Sequence, residues 1–115
     1  MSQQSPIFIK TEAFMVWLFQ HTTKFPRHER FRLAQRIEEA LFGFHACLVR
    51  ATASDKPQVY LTEADIQLNL LRAYLRLAVE LKYTTPQQYQ HASAHTSEIG
   101  RLLGGWLRRI NEIEA

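Results

Sequence analysis

Three proline-marked breaks divide this chain into four segments, and each segment repeats its apolar residues at helical spacing. The breaks are Phe25-Pro26, Ser54-Asp55-Lys56-Pro57 and Thr84-Thr85-Pro86. Proline suits the first turn of a helix and cannot continue one, so each break marks both an end and a start. Almost nothing alternates with the period of two that a half-buried strand requires. The pattern predicts helices over residues 9–24 and 27–53, a third beginning near Thr62, and a fourth from Pro86 to Asn111. Thr62-Glu63-Ala64-Asp65 reads as a cap for the third helix, and a threonine of Thr84-Thr85 as a cap for the fourth. Short connections favour antiparallel neighbours. The expected fold is therefore all-α, an antiparallel up-down-up-down four-helix bundle. It forms one domain over residues 1–115, with residues 1–8 as a flexible tail closed by Pro6.

The inner stripes follow from the spacing. Phe14, Trp17, Leu18 and His21 serve the first helix, and Phe31, Ala34, Ile37 or Glu38, Leu41, Phe44 or His45, and Leu48 the second. Ile66, Asn69 or Leu70, Ala73, Leu77 and Leu81 form one face of the third, widened by Leu71, Tyr74, Leu75 and Ala78. Tyr89, Ala92, Thr96, Ile99, Leu103, Trp106 and Ile110 serve the fourth. These positions are too many for one narrow core, and Phe42, Leu68, Leu75, Leu102 and Leu107 lie beside the main stripes. A contiguous exposed apolar patch marks an interface, so self-association is expected. No apolar run approaches the ~20 residues of a membrane span, and no secretory signal is visible. The single cysteine, Cys47, excludes an intrachain disulfide and fits a reducing, cytoplasmic setting. At a helix interior it acts as a small hydrophobe.

Catalytic chemistry finds little footing. No nucleophile elbow, paired-carboxylate motif or metal triad is present, so neither an enzyme nor a cofactor is expected. His91 and His95 stand four apart, a spacing that can bind a metal, but hydrogen-bonded or solvated histidines are the expected reading. Gly100 and Gly104 share a face within the fourth helix and suggest close approach to a neighbour. The charge is more telling. The net charge is +3, and ten of the 14 basic residues are arginine, the side chain suited to phosphate. The candidate surface comprises Arg27, Arg30, Arg32, Arg36, Arg72, Arg76, Arg101, Arg108 and Arg109. For each singly the competing reading is a surface ion pair with Glu29, Glu38, Glu39, Glu80 or Glu98. As a set they suit phosphate contact driven by counterion release, since no base-reading module is present.

Two signatures add a resemblance. The first is Lys24-Phe25-Pro26-Arg27 followed by Arg30, Leu33, Arg36 and Ile37. The second is Glu98-Ile99-Gly100-Arg101 followed by Leu103-Gly104-Gly105-Trp106. With Leu71, Arg72, Leu75, Arg76, Leu77 and Ala78 between them, the chain resembles the accessory variability determinants of diversity-generating retroelements. It is also similar to the related four-helix intervening-sequence proteins of ribosomal RNA genes. The resemblance implies a non-catalytic homopentamer, a ring with a basic surface that binds RNA or DNA and a reverse transcriptase. One departure is the acid content: 11 acidic residues oppose 14 basic ones, with Glu38-Glu39 beside the arginines of the second helix. The alternative reading is a stand-alone interaction oligomer without a nucleic-acid role.

Overall fold

The computed structural model describes residues 2 and 4–114. Four helices follow one another: α1 (Pro6–Thr22), α2 (Leu33–Ala53), α3 (Pro57–Glu80) and α4 (Pro86–Glu114), with a 3-10 turn at Arg27–Glu29. No strand occurs among the described residues. α1 packs on α2 and α4, and α3 packs on the same two, which is the cyclic adjacency of an up-down-up-down bundle. The order of contacts fixes the directions. Phe8 lies against Trp106, Phe14 against His95 and Trp17 against His91, so α1 and α4 run antiparallel. The body measures 47 × 24 × 22 Å.

Three helix starts depart from expectation. α1 begins at Pro6, three residues before the expected start at residue 9, so Pro6, Ile7 and Phe8, expected in a tail, are helical. The reason is packing: Ile7 and Phe8 are buried, and the Phe8 ring sits 6.1 Å from His45 and 6.4 Å from Trp106. α3 begins at Pro57, a full turn before Thr62, because proline suits the first helical position. Thr62 caps nothing; its hydroxyl donates to the carbonyl of Gln58 within the helix. α2 begins late, because the Arg27–Glu29 turn and Arg32, with φ −115° and ψ −104°, break the expected continuous helix.

Thr85 behaves as the sequence suggests. Its Oγ1 accepts the Gln88 amide at 3.1 Å, while Gln88 Oε1 accepts the Thr85 amide at 2.9 Å. This reciprocal pair satisfies two otherwise orphaned donors. Thr85→Ala is expected to cost about 1 kcal/mol, read from the midpoint of denaturant unfolding. The turn before it is equally defined. Lys82 takes a φ of +66°, and the Tyr83 amide returns to the carbonyl of Ala78. That is a Schellman closure with lysine where glycine is usual. It aims Tyr83 and Thr84 back at the α1–α2 connection.

The core joins Phe14, Leu18, Ile37, Leu41, Phe44, Leu48, Leu61, Leu68, Leu71, Leu75 and Ile99. Cys47 is buried, and burial raises its thiol pKa above the ordinary value, as suits an inert core residue. Two expected core assignments are overturned. Phe31 is 81% exposed. On α3 the inner face is Leu61, Ala64, Leu68, Leu71, Leu75 and Ala78, whereas Ile66, Leu70, Leu77 and Leu81 point outward with Val59. At ~100° per residue these five outward residues fall in one stripe about 60° wide. No helix among the described residues is long and apolar enough to cross a membrane.

Candidate nucleic-acid interface

The arginines separate into three patches. Arg27, Arg30, Arg32 and Arg36 occupy the end of the bundle where the α1–α2 connection meets the α3–α4 turn. Arg27 and Arg30 line a cleft of about 460 Å³ with Thr22, Thr23, Phe25 and Glu38. Arg72 and Arg76 line a groove between α3 and α4 with Tyr89, Ser93, Thr96 and Ser97. Arg101, Arg108 and Arg109 line a cleft of about 270 Å³ at the start of α1, with Pro6, Ile7 and Leu102. From Pro86 to Arg108, α4 rises about 33 Å, so the first and third patches lie near opposite ends of one chain.

Pairing divides the set further. Arg32 reaches Glu29 at 2.8 Å, Arg36 reaches Glu39 at 3.6 Å, and Arg101 holds Glu98 through contacts of 2.8 and 3.1 Å. The Arg101 bond draws Glu98 below the usual carboxylate range and raises Arg101 in return. Arg72 is half-buried and donates to Asn69 Oδ1 and to the carbonyl of Thr96, each at 3.1 Å, tying α3 to α4. Arg27, Arg30, Arg76, Arg108 and Arg109 are exposed and have no ion pair among the described residues. Within the candidate set these five carry the uncommitted charge, and Arg50, outside that set, is likewise exposed and without an ion pair among the described residues.

Glu29 is not the surface partner that its sequence neighbours suggest. It is wholly buried, and the Tyr83 hydroxyl donates to its Oε2 at 2.6 Å. That hydrogen bond, with the charge of Arg32, holds the Glu29 carboxyl below its ordinary pKa against the opposing effect of burial. The same bond raises the Tyr83 phenol. Nothing in the sequence pairs residues 29 and 83, because only the α3–α4 turn brings them together.

The histidines are absorbed into packing. Phe14 stacks on His95 at 5.2 Å, His91 lies 4.7 Å from Trp17, and Trp17 stacks on His21 at 5.0 Å. His21 Nε2 then pairs with Thr84 Oγ1 at 2.8 Å. Among the described residues no three of histidine, cysteine, aspartate and glutamate converge as a metal site requires. Burial lowers the pKa of His21, helped by Lys24, and that of His95, helped by His91 and Lys10. A histidine lowered on folding binds protons more readily in the unfolded chain. Stability is therefore full above the ordinary histidine value of 6.5 and falls as pH drops from there through the lowered values. Glu29 and Glu98 stay ionised in that window and act only below 4.5. A melting temperature lower at pH 5.5 than at pH 7.5 is expected; one unchanged between them would contradict the assignment.

The glycines take a different part from that expected. A Cβ on Gly100 would stand 2.7 Å from Arg72 Nη2, so this glycine admits a guanidinium rather than a neighbouring backbone. A Cβ on Gly104 would meet nothing within 4 Å. Gly104 faces open space in the single chain.

Comparison with curated proteins gives no match. A family model described as bAvd-like matches residues 6–110, from the first turn of α1 almost to the end of α4. That span includes both signatures and all four helices. The chain therefore belongs to the bAvd-like family, the bacterial accessory variability determinants.

Proposed function

We propose that this protein is a non-catalytic accessory subunit of a diversity-generating retroelement, working in the cytoplasm as a homopentamer that binds nucleic acid and a reverse transcriptase. Membership of the accessory family supports the role. The outward stripe of α3 supports self-association. Val59, Ile66, Leu70, Leu77 and Leu81 are each 40–64% exposed, and together they run about 33 Å along one face. The stripe suits a helix of a second copy, as scattered exposed leucines would not. The count of five subunits follows the family resemblance.

The observation that carries the nucleic-acid reading is that five of the nine candidate arginines are exposed and have no ion pair among the described residues: Arg27, Arg30, Arg76, Arg108 and Arg109. Their patches are separated on one chain, and a ring repeats each patch around its circumference. A polyanion crossing several subunits then meets many weak phosphate contacts, whose sum is salt-sensitive and largely indifferent to sequence. Arg32, Arg36, Arg72 and Arg101 act chiefly through their internal partners and contribute less. Native mass spectrometry of the purified chain, with and without a single-stranded RNA, tests the reading. Five-chain assemblies that gain RNA mass are expected; free monomers that gain none would overturn it.

A further inference from the structure

The connection from α1 to α2 is built as a buttressed loop. Phe25 is buried, with its ring centroid 5.3 Å from His21 and 5.5 Å from Tyr83. Four residues on, Glu29 is also buried, clamped by the Tyr83 hydroxyl at 2.6 Å and by Arg32 Nε at 2.8 Å. These two anchors turn one side of the loop inward. The other side presents Arg27, Arg30 and Phe31 to solvent. Phe31 is 81% exposed, more than any other large apolar residue described. An unpartnered aromatic ring in water is unfavourable, and a loop pinned at Phe25 and Glu29 has little freedom to tuck it away.

The surroundings of the ring select the kind of partner. Within residues 24–32 stand Lys24, Arg27, Arg30 and Arg32, opposed by Glu29, whose charge is met inside by Tyr83 and Arg32, and by Glu38 on the wall of the adjoining cleft, so the cations outnumber the acids. The Arg30 guanidinium carbon lies 5.9 Å from the Phe31 ring centroid, and Arg27 and Arg30 border the adjoining cleft of about 460 Å³. An apolar protein surface would have to desolvate these cations without paying them back. The aliphatic stripe of α3 suits that kind of partner far better. A ligand with a flat π face and a negative charge in each repeat satisfies both halves of the loop. Single-stranded nucleic acid has that chemistry, whereas a duplex keeps its base faces stacked inside.

We infer that Phe31 is a stacking platform for an unpaired base of single-stranded RNA or DNA, with Arg27 and Arg30 holding the flanking phosphates. The inference rests on the nucleic-acid reading above and adds to it the strandedness of the ligand and the residue that senses it. Phe31 does not share the arginines' electrostatic role. Its contribution is independent of salt, and theirs sets the salt slope.

The test is fluorescence anisotropy with a short labelled single-stranded RNA and a duplex of the same sequence, at several salt concentrations. Wild type should prefer the single strand. Phe31→Ala should weaken single-strand binding about 5- to 100-fold, with the salt slope unchanged and the duplex little affected. Phe31→Trp should restore binding, since tryptophan also offers a stacking face. Arg27→Ala with Arg30→Ala should weaken both ligands and flatten the slope. The melting temperature of Phe31→Ala should match wild type, because the ring is exposed, and light scattering should give the same assembly mass. Unchanged single-strand affinity in Phe31→Ala would overturn the stacking role while leaving the nucleic-acid reading intact. Loss of assembly mass in that variant would overturn it too, by placing the ring between copies. Wild type binding neither ligand at low salt would overturn the underlying reading itself.

Discussion

Replacing Leu70 and Leu77 together by glutamate is expected to convert the proposed pentamer into folded monomers. Both lie in the outward stripe of α3, 40% and 47% exposed, and neither belongs to the core that holds the four helices together. Burying what remains exposed of each leucine stabilises an interface by roughly 1 kcal/mol. Burying an unpaired carboxylate in its place costs several more. In a closed ring each subunit makes two such contacts, so the penalty recurs at every joint. Light scattering should therefore show the mass falling to that of one chain at micromolar concentration. Helical content should persist, with a melting temperature lowered by whatever assembly had contributed. Leu71→Glu is the contrasting variant. One position away on the helix, it is fully buried, and it should unfold the chain outright.

Reversing Arg27, Arg30, Arg108 and Arg109 to glutamate should reduce nucleic-acid affinity on the order of a thousandfold at low salt, if each lost phosphate contact is worth about 1 kcal/mol. The salt slope should become shallower by about 3, given roughly 0.7 per contact on a single strand. All four side chains are exposed and have no ion pair among the described residues, so the bundle should remain folded. Arg36→Glu with Arg101→Glu gives the internal comparison. Their charges are already opposed by Glu39 and Glu98, so the loss of affinity should be smaller. Equal losses from both sets would show that pairing does not decide which arginines meet phosphate.

The helices were legible because their boundaries are written in local chemistry. Pro57 and Pro86 open α3 and α4, and the Thr85–Gln88 pair closes the start of α4. The inner stripe of α4 was legible because that helix has one apolar face, whereas in α1 Phe14 and Leu18 were found but the buried Ile7 and Phe8 were not, and Ile9 and Val16 leave apolar residues on its outer side. α3 has two apolar faces. Leu61, Leu68 and Leu75 lie on roughly the opposite side from Val59, Ile66 and Leu77, and periodicity alone does not say which faces the core. Phe31 was misplaced because a continuous helix from Arg27 would have put it on the inner stripe. The 3-10 turn at Arg27–Glu29 shifts that register, and its last residue, Glu29, is held by a contact with Tyr83, 54 positions away, that local spacing does not reveal. The candidate arginines were visible as a composition. Which of them are committed to partners depended on Glu29, Glu98 and the Thr96 carbonyl lying within reach.

The most direct measurement is the affinity of the wild-type assembly for a labelled single-stranded RNA as a function of salt. The account predicts binding at low salt whose logarithm falls linearly and steeply with the logarithm of salt concentration, since arginine–phosphate contacts release counterions. No binding at low salt would contradict the nucleic-acid reading and turn the search to protein partners, and binding indifferent to salt would contradict the role given to the arginines.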